Sequence, residues 1–139
     1  FETERLFARA LNLNDAKFLY PILSDMETMK YYPAPYDMKG VKNWINRSIE
    51  NYKKNGFGLW AILLKETNEF IGQCGITLQN INGNIVPEIG YHIRKDFWNQ
   101  GLTLQFLKTN FAYRLIYKTC IGRSRNIKTM HIVSLPNIL

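Results

Sequence analysis

Cysteine is nearly absent from this sequence. Cys74 and Cys120 stand far apart and fit no CxxC or metal-ligand spacing, which excludes a disulfide framework and points to a reduced, cytoplasmic setting. No apolar run approaches the roughly 20 residues of a membrane-spanning helix. A Walker lysine motif, a metal-ligand cluster and a Ser/His/Asp arrangement are likewise missing. The opening "FETERLFARAL" mixes two acids and two arginines into its apolar residues, so it does not read as a signal peptide. It starts at Phe1 and not at methionine, from which a trimmed natural start is expected.

Acid is the other scarce component. The formal net charge is +7, yet residues 97–139 contain no Asp or Glu. Six basic residues lie there: Lys108, Arg114, Lys118, Arg123, Arg125 and Lys128. Such a stretch suits an anionic ligand or nucleic acid, and its interleaved Phe111, Tyr113 and Tyr117 could stack on bases. Against this, the chain has no nucleic-acid-binding motif.

What is present is an ordinary globular composition, with 46% hydrophobic and 21% charged residues, long enough for one domain spanning 1–139. Alternation from Leu6 to Ala10 predicts a first strand. Asn14 or Asp15 is expected to cap a helix carrying Phe18, Leu19, Ile22 and Leu23, which Pro21 must shorten or kink. The prolines of "YYPAPYD" exclude helix there. Val41, Trp44, Ile45, Ser48, Ile49 and Tyr52 recur at helical spacing, with Gly56 placed to end the helix.

"FGLWAILLKETNEFIGQCGITLQN" reads as a hairpin turning at Glu66–Glu69. Its first arm, Leu59 to Leu64, is apolar on both faces and should be central in a sheet. Gly72 and Gly75 suggest a bulge or a close backbone approach. "NINGN" is read as a turn, "VPEIGYHI" as a strand, the residues after Gly101 as a helix, and "MHIVSL" as a last short strand. The order β-α-α-β-β-β-α-β describes an α/β domain with a mainly antiparallel first half.

Three segments, "ETERLFARAL", "GLWAILLKETNEFIGQCGI" and "EIGYHIRKDFWNQGL", resemble the GNAT N-acetyltransferases, and within them the branch that acetylates ribosomal-protein N-termini. The resemblance covers residues 2–102 and implies a mixed, mostly antiparallel sheet flanked by helices, with acetyl-CoA as co-substrate and an amine acceptor as partner. It implies that Ile93, Arg94, Trp98, Asn99, Gln100, Gly101, Leu102 and Thr103 hold the cofactor. The physical reason is that a helix start offers unpaired N–H groups and partial positive charge to a pyrophosphate. The family's loop usually reads Trp-Gly-x-Gly-x-Ala; here the first glycine is Asn99 and the alanine is Thr103.

From residue 103 the basic tail diverges from the family. It is similar again only in "HIVSLPNIL", and the chain stops before the family's last helix and final β-hairpin. A sheet without those strands would expose an edge that invites a homodimer. From this a weak or inactive acetyltransferase is expected, the alternative being a non-catalytic basic binding module.

Acetyl transfer needs a neutral amine, a polarised thioester carbonyl and an exit for the proton. A backbone N–H near Ile93 could polarise the carbonyl. Glu88 is a candidate general base through water, or else a solvated strand residue or a partner of Arg94. His92 is a second candidate base. By strand alternation Tyr91 lies with Ile89 and Ile93, opposite Glu88. Tyr31 and Tyr32 are candidate acceptor-pocket residues, whereas Trp44 reads more readily as core.

Overall fold

In a computed structural model, residues 2–102 and 131–132 are described. Five strands form one sheet in the order β1-β2-β3-β4-β5: β1 (Leu6–Ala10), β2 (Leu59–Leu64), β3 (Phe70–Ile81), β4 (Asn84–Ile93) and β5 (His131–Ile132). The first three pairings are antiparallel, and β5 runs parallel to β4, with Glu88 opposite His131 and Ile89 opposite Ile132. β2 is therefore an interior strand, paired on both sides, as its two-faced apolar run requires. Helices α1 (Ala16–Leu23) and α2 (Met38–Asn55) cover one face. Leu19, Ile22, Leu23, Val41 and Ile45 pack there on Leu59, Ala61 and Leu63. Leu6, Ile62, Cys74, Ile76, Ile89 and Tyr91 form the core of the opposite face, joined by Leu102.

The start of α1 differs from expectation. Asn12, not Asn14 or Asp15, supplies the capping side chain: its oxygen accepts from the Asn14 N–H across 3.0 Å. Asp15 completes a capping box by accepting from the Asn12 N–H at 2.8 Å, and it is held by Arg9 at 2.7 Å. The cap thus precedes a 3-10 turn (Leu13–Asp15), which delays the α-helix and leaves it short enough to contain Pro21 near its middle. Phe18 is also not a core residue. It is 47% exposed, and its ring stacks on Phe70 with centroids 5.8 Å apart. α2 ends as expected on Gly56, whose φ of 77° is the left-handed geometry of a helix stop.

The turn in "NINGN" is shorter than its composition suggests. Only Asn82 and Gly83 leave the ladder, both at positive φ (52° and 82°), so β3 and β4 reach Ile81 and Asn84. Gly72 and Gly75 behave as expected. The β2–β3 register shifts between Ile62 and Leu63, and a Cβ on Gly72 would lie 2.2 Å from the His92 carbonyl oxygen. A Cβ on Gly75 would lie 2.0 Å from the carbonyl oxygen of Gly58.

Candidate active site

Two arrangements meet at the C-terminal end of β4. The first is the loop after the strand. A 3-10 turn (Lys95–Phe97) follows Arg94, and Trp98 folds back so that its indole N–H donates to the Ile93 carbonyl at 2.6 Å. Gln100 donates from Nε2 to the Asp96 carbonyl at 2.9 Å, while its own carbonyl accepts from Arg5 at 2.9 Å. Asn99 and Gly101 take left-handed φ values of 59° and 68°, and Leu102 plugs into the core. Asparagine is one of the few side chains that tolerates this conformation, so Asn99 does what a glycine would do in its place. Among the described residues, the N–H groups of Asn99, Gly101 and Leu102 donate to nothing, while that of Gln100 closes the turn over Trp98 and Asn99. Among the described residues, nothing lies within 4 Å of a Cβ built on Gly101. These residues fit a pyrophosphate: three amides without partners among the described residues, in a loop fixed in place by its own side chains. Thr103 lies outside the described residues.

Arg94 bonds to Asp96 (Nε to Oδ1, 2.7 Å) and to Glu69 at 2.8 Å, and it lies over the Phe97 ring at 4.8 Å. The alternative partnership of Arg94 with Glu88 is not what forms. Two carboxylates hold the guanidinium and push its pKa up. Lys95 reaches back to Asp25 and Glu27, each at 2.8 Å, tying the loop to the segment after α1. A cleft of about 300 Å³ lies at this junction, lined by Ile22, Asp25, Thr28 and Arg94 to Asp96.

The direction of the β4 amides follows from one bond. The Arg94 N–H donates to Ile71 on β3 at 2.9 Å, so by strand alternation the Ile93 and Tyr91 amides point away from β3, toward the β5 side. Among the described residues, pairing with β5 involves only Glu88 and Ile89.

The second arrangement occupies the helix-covered face. The β3–β4 register has no shift, so Glu88, Gly90 and His92 share that face, and Tyr91 is buried on the other. The separation of Glu88 from Tyr91 expected from alternation therefore holds. Trp44 donates from Nε1 to Gln73 Oε1 at 3.1 Å, and Gln73 Nε2 lies 3.1 Å from His92 Nδ1. The rings of Tyr32 and Trp44 lie 5.4 and 5.5 Å from that of His92, and Tyr36 meets Trp44 edge-on at 5.3 Å. Trp44 is half-buried on the helix-covered face and takes part in this cluster. Tyr31, the other tyrosine expected here, is 58% exposed with Lys30 over its ring and stays outside the cluster.

Burial, with a smaller contribution from Glu88, pushes the Tyr32 hydroxyl up to about 12. Burial pushes His92 down to about 4, so its ring is neutral at physiological pH. An indole N–H can only donate, which assigns the Gln73 oxygen to Trp44 and the amide nitrogen to His92. His92 Nδ1 then accepts, and the proton sits on Nε2. Held so, the ring is a hydrogen-bond donor and not the proton acceptor expected from the sequence. Gln73 was not foreseen. Its only sequence signal is a polar residue in the otherwise apolar first half of β3, at an inward-facing position. The basic residues of the tail, which carried the nucleic-acid alternative, lie outside the described residues.

The model of the GNAT acetyltransferase domain family matches residues 5–120. The Bacillus subtilis protein YkkB is 36% identical over 112 residues, which are 80% of this chain and 65% of that protein. The uncharacterized N-acetyltransferase p20 of Bacillus licheniformis is 31% identical over 114 residues, 80% of this chain and 63% of p20. The chain thus spans just under two thirds of the length of these relatives. Among solved structures, RimL, the ribosomal L7/L12 α-N-protein acetyltransferase in complex with coenzyme A, superposes with a TM-score of 0.59 at 19% identity, covering 81% of this chain and 66% of RimL. At that identity the likeness concerns the fold.

Proposed function

The chain belongs to the GNAT acetyltransferase family, and from that premise we propose that it moves an acetyl group from acetyl-CoA to a primary amine, on a small molecule or a protein N-terminus. One observation carries the reading: the loop whose Asn99, Gly101 and Leu102 amides have no partner among the described residues. Amides held in a fixed loop favour a pyrophosphate at little reorganisation cost. Acetyl-CoA supplies the activated thioester.

The chain's own residues supply the rest. The outward Ile93 N–H is placed to polarise a carbonyl, and Trp98, bonded to the Ile93 carbonyl, anchors the peptide unit that follows it. Glu88, half-buried on the helix-covered face, takes the amine proton through water. Tyr32 and Trp44 wall the acceptor side. Tyr32 stays protonated throughout the working pH range, so it contributes a neutral hydroxyl and not a charge. The buried, free thiol of Cys74 fits a reducing compartment such as the cytoplasm.

Calorimetry with acetyl-CoA tests the loop, and free-thiol release with a panel of amines tests transfer. Saturable binding together with amine-dependent thiol release is expected. Absence of acetyl-CoA binding would overturn the reading.

A further inference from the structure

Within the proposed reaction, which this inference presupposes, we propose that His92 is an acceptor-positioning residue: its Nε2–H donates a hydrogen bond to an oxygen of the amine substrate. Gln73 and Trp44 serve to hold it in that tautomer.

The relay is fully determined by donor and acceptor chemistry. Trp44 offers only a donor, so Gln73 must turn its oxygen to it, and His92 must accept at Nδ1. His92 and Gln73 are 2% and 0% exposed, so water does not compete for these bonds. Every step of the chain is satisfied except its last atom. Among the described residues, His92 Nε2 is buried and has no hydrogen-bond partner. A buried N–H without a partner is costly, and proteins rarely leave one unless a ligand or water completes it.

The surroundings favour an acceptor there. Thr77, opposite Glu88 on the neighbouring strand, also buries its hydroxyl oxygen without a hydrogen-bond partner among the described residues. Between those two rungs stands the Gly75–Gly90 pair, which contributes no side chain. Among the described residues, a Cβ on Gly90 would meet only Leu59 Cδ2, at 3.4 Å, so none of their backbone fills the step beside His92. Glu88 lies roughly 13 Å along the strand from His92, four residues at the strand rise, which leaves room for an acceptor and a water between them. Tyr32 and Trp44 close the sides. An amine that also bears a carbonyl or hydroxyl oxygen satisfies the orphaned donor, and a plain alkylamine does not.

Two measurements on the 139-residue chain test this. Long-range ¹H–¹⁵N correlation spectra of the two histidines, assigned with His92→Gln, should show the Nε2–H tautomer, and alaninamide should move that resonance where n-propylamine does not. In thiol-release assays, His92→Phe should raise KM for alaninamide roughly tenfold and leave KM for acetyl-CoA unchanged. His92→Gln, which keeps a donor, should stay within about threefold of the parent. The Nδ1–H tautomer, an alaninamide-insensitive resonance, or equal effects of the two variants on both KM values would overturn the proposal. If neither amine turns over while the resonance still responds to alaninamide, the acetyl-transfer reading fails and the donor site stands.

Discussion

The indole of Trp44 on α2 donates to the side-chain oxygen of Gln73 on β3 across 3.1 Å, and this one bond sets the orientation of everything beneath it. Trp44→Phe keeps the ring and its edge contacts with Tyr32 and Tyr36 but removes the N–H. Gln73, wholly buried, then has an unpaired oxygen. The expected cost is about 1–3 kcal/mol of stability, read from chemical denaturation. An unchanged midpoint would mean that water replaces the indole.

Gly72 and Gly75 should not accept alanine. Gly72 has a φ of 153°, and its added Cβ would stand 2.2 Å from a carbonyl oxygen of β4. The Gly75 Cβ would stand 2.0 Å from a carbonyl oxygen of the residue just before β2. Both obstacles are backbone, which can move only by opening the sheet. Each substitution should cost at least about 3 kcal/mol, seen as insoluble expression or a sharply lowered Tm. By contrast, a Cβ on Gly56 meets nothing within 4 Å among the described residues, and its left-handed φ is what opposes alanine there.

How much of this was legible in the sequence depends on the range of the interaction. Strands and α2 were readable because period-2 and period-3.6 patterns are local, and the interior place of β2 followed from apolar residues on both faces. The bulge at Gly72 was readable for the same reason, since two glycines in a strand have few other uses. The Asn12 cap was hidden because a 3-10 turn separates it from the helix it serves. Phe18 misled because its spacing fits the apolar stripe while its ring lies over the edge of the core. The site divides likewise. Asn99 and Gly101 announce themselves by residue type, but the Trp44–Gln73–His92 relay joins residues 29 and 19 positions apart on three elements. No local pattern carries that information. His92 was therefore seen as a lone titratable ring, and its role as a donor appears only when its neighbours are known.

Acid should weaken the fold through His92. Its folded pKa, pushed down by burial to about 4, lies below the ordinary histidine value of 6.5, so the unfolded chain binds more protons between these values. Stability then falls as pH drops through that window, by on the order of 3 kcal/mol in all. Losses from Asp25 and Asp96, whose folded pKa values are lowered by Lys95 and Arg94 pairing, come mainly below it. Urea unfolding between pH 7 and pH 4.5 should show the slope, and His92→Gln should flatten it. A parent protein with pH-independent stability across that range would refute the buried, neutral ring.

Gly101→Val separates the two possibilities for the loop after β4. A simple turn would respond only in stability. The residue has a φ of 68°, which a β-branched side chain resists, so some loss is expected in either case, about 1–2 kcal/mol. A binding loop would respond in affinity as well. Among the described residues, the valine side chain meets no atom near its Cβ, and it stands where a pyrophosphate must approach the amides of this loop. Its dissociation constant for acetyl-CoA should rise at least tenfold, on the order of one lost charge-assisted hydrogen bond. Gly101→Asn, which accepts the left-handed angle, is the control for backbone strain: it should recover stability while its longer polar side chain recovers affinity only in part. Equal acetyl-CoA affinity in the parent and Gly101→Val, measured by calorimetry on folded protein, would remove this loop from the cofactor site.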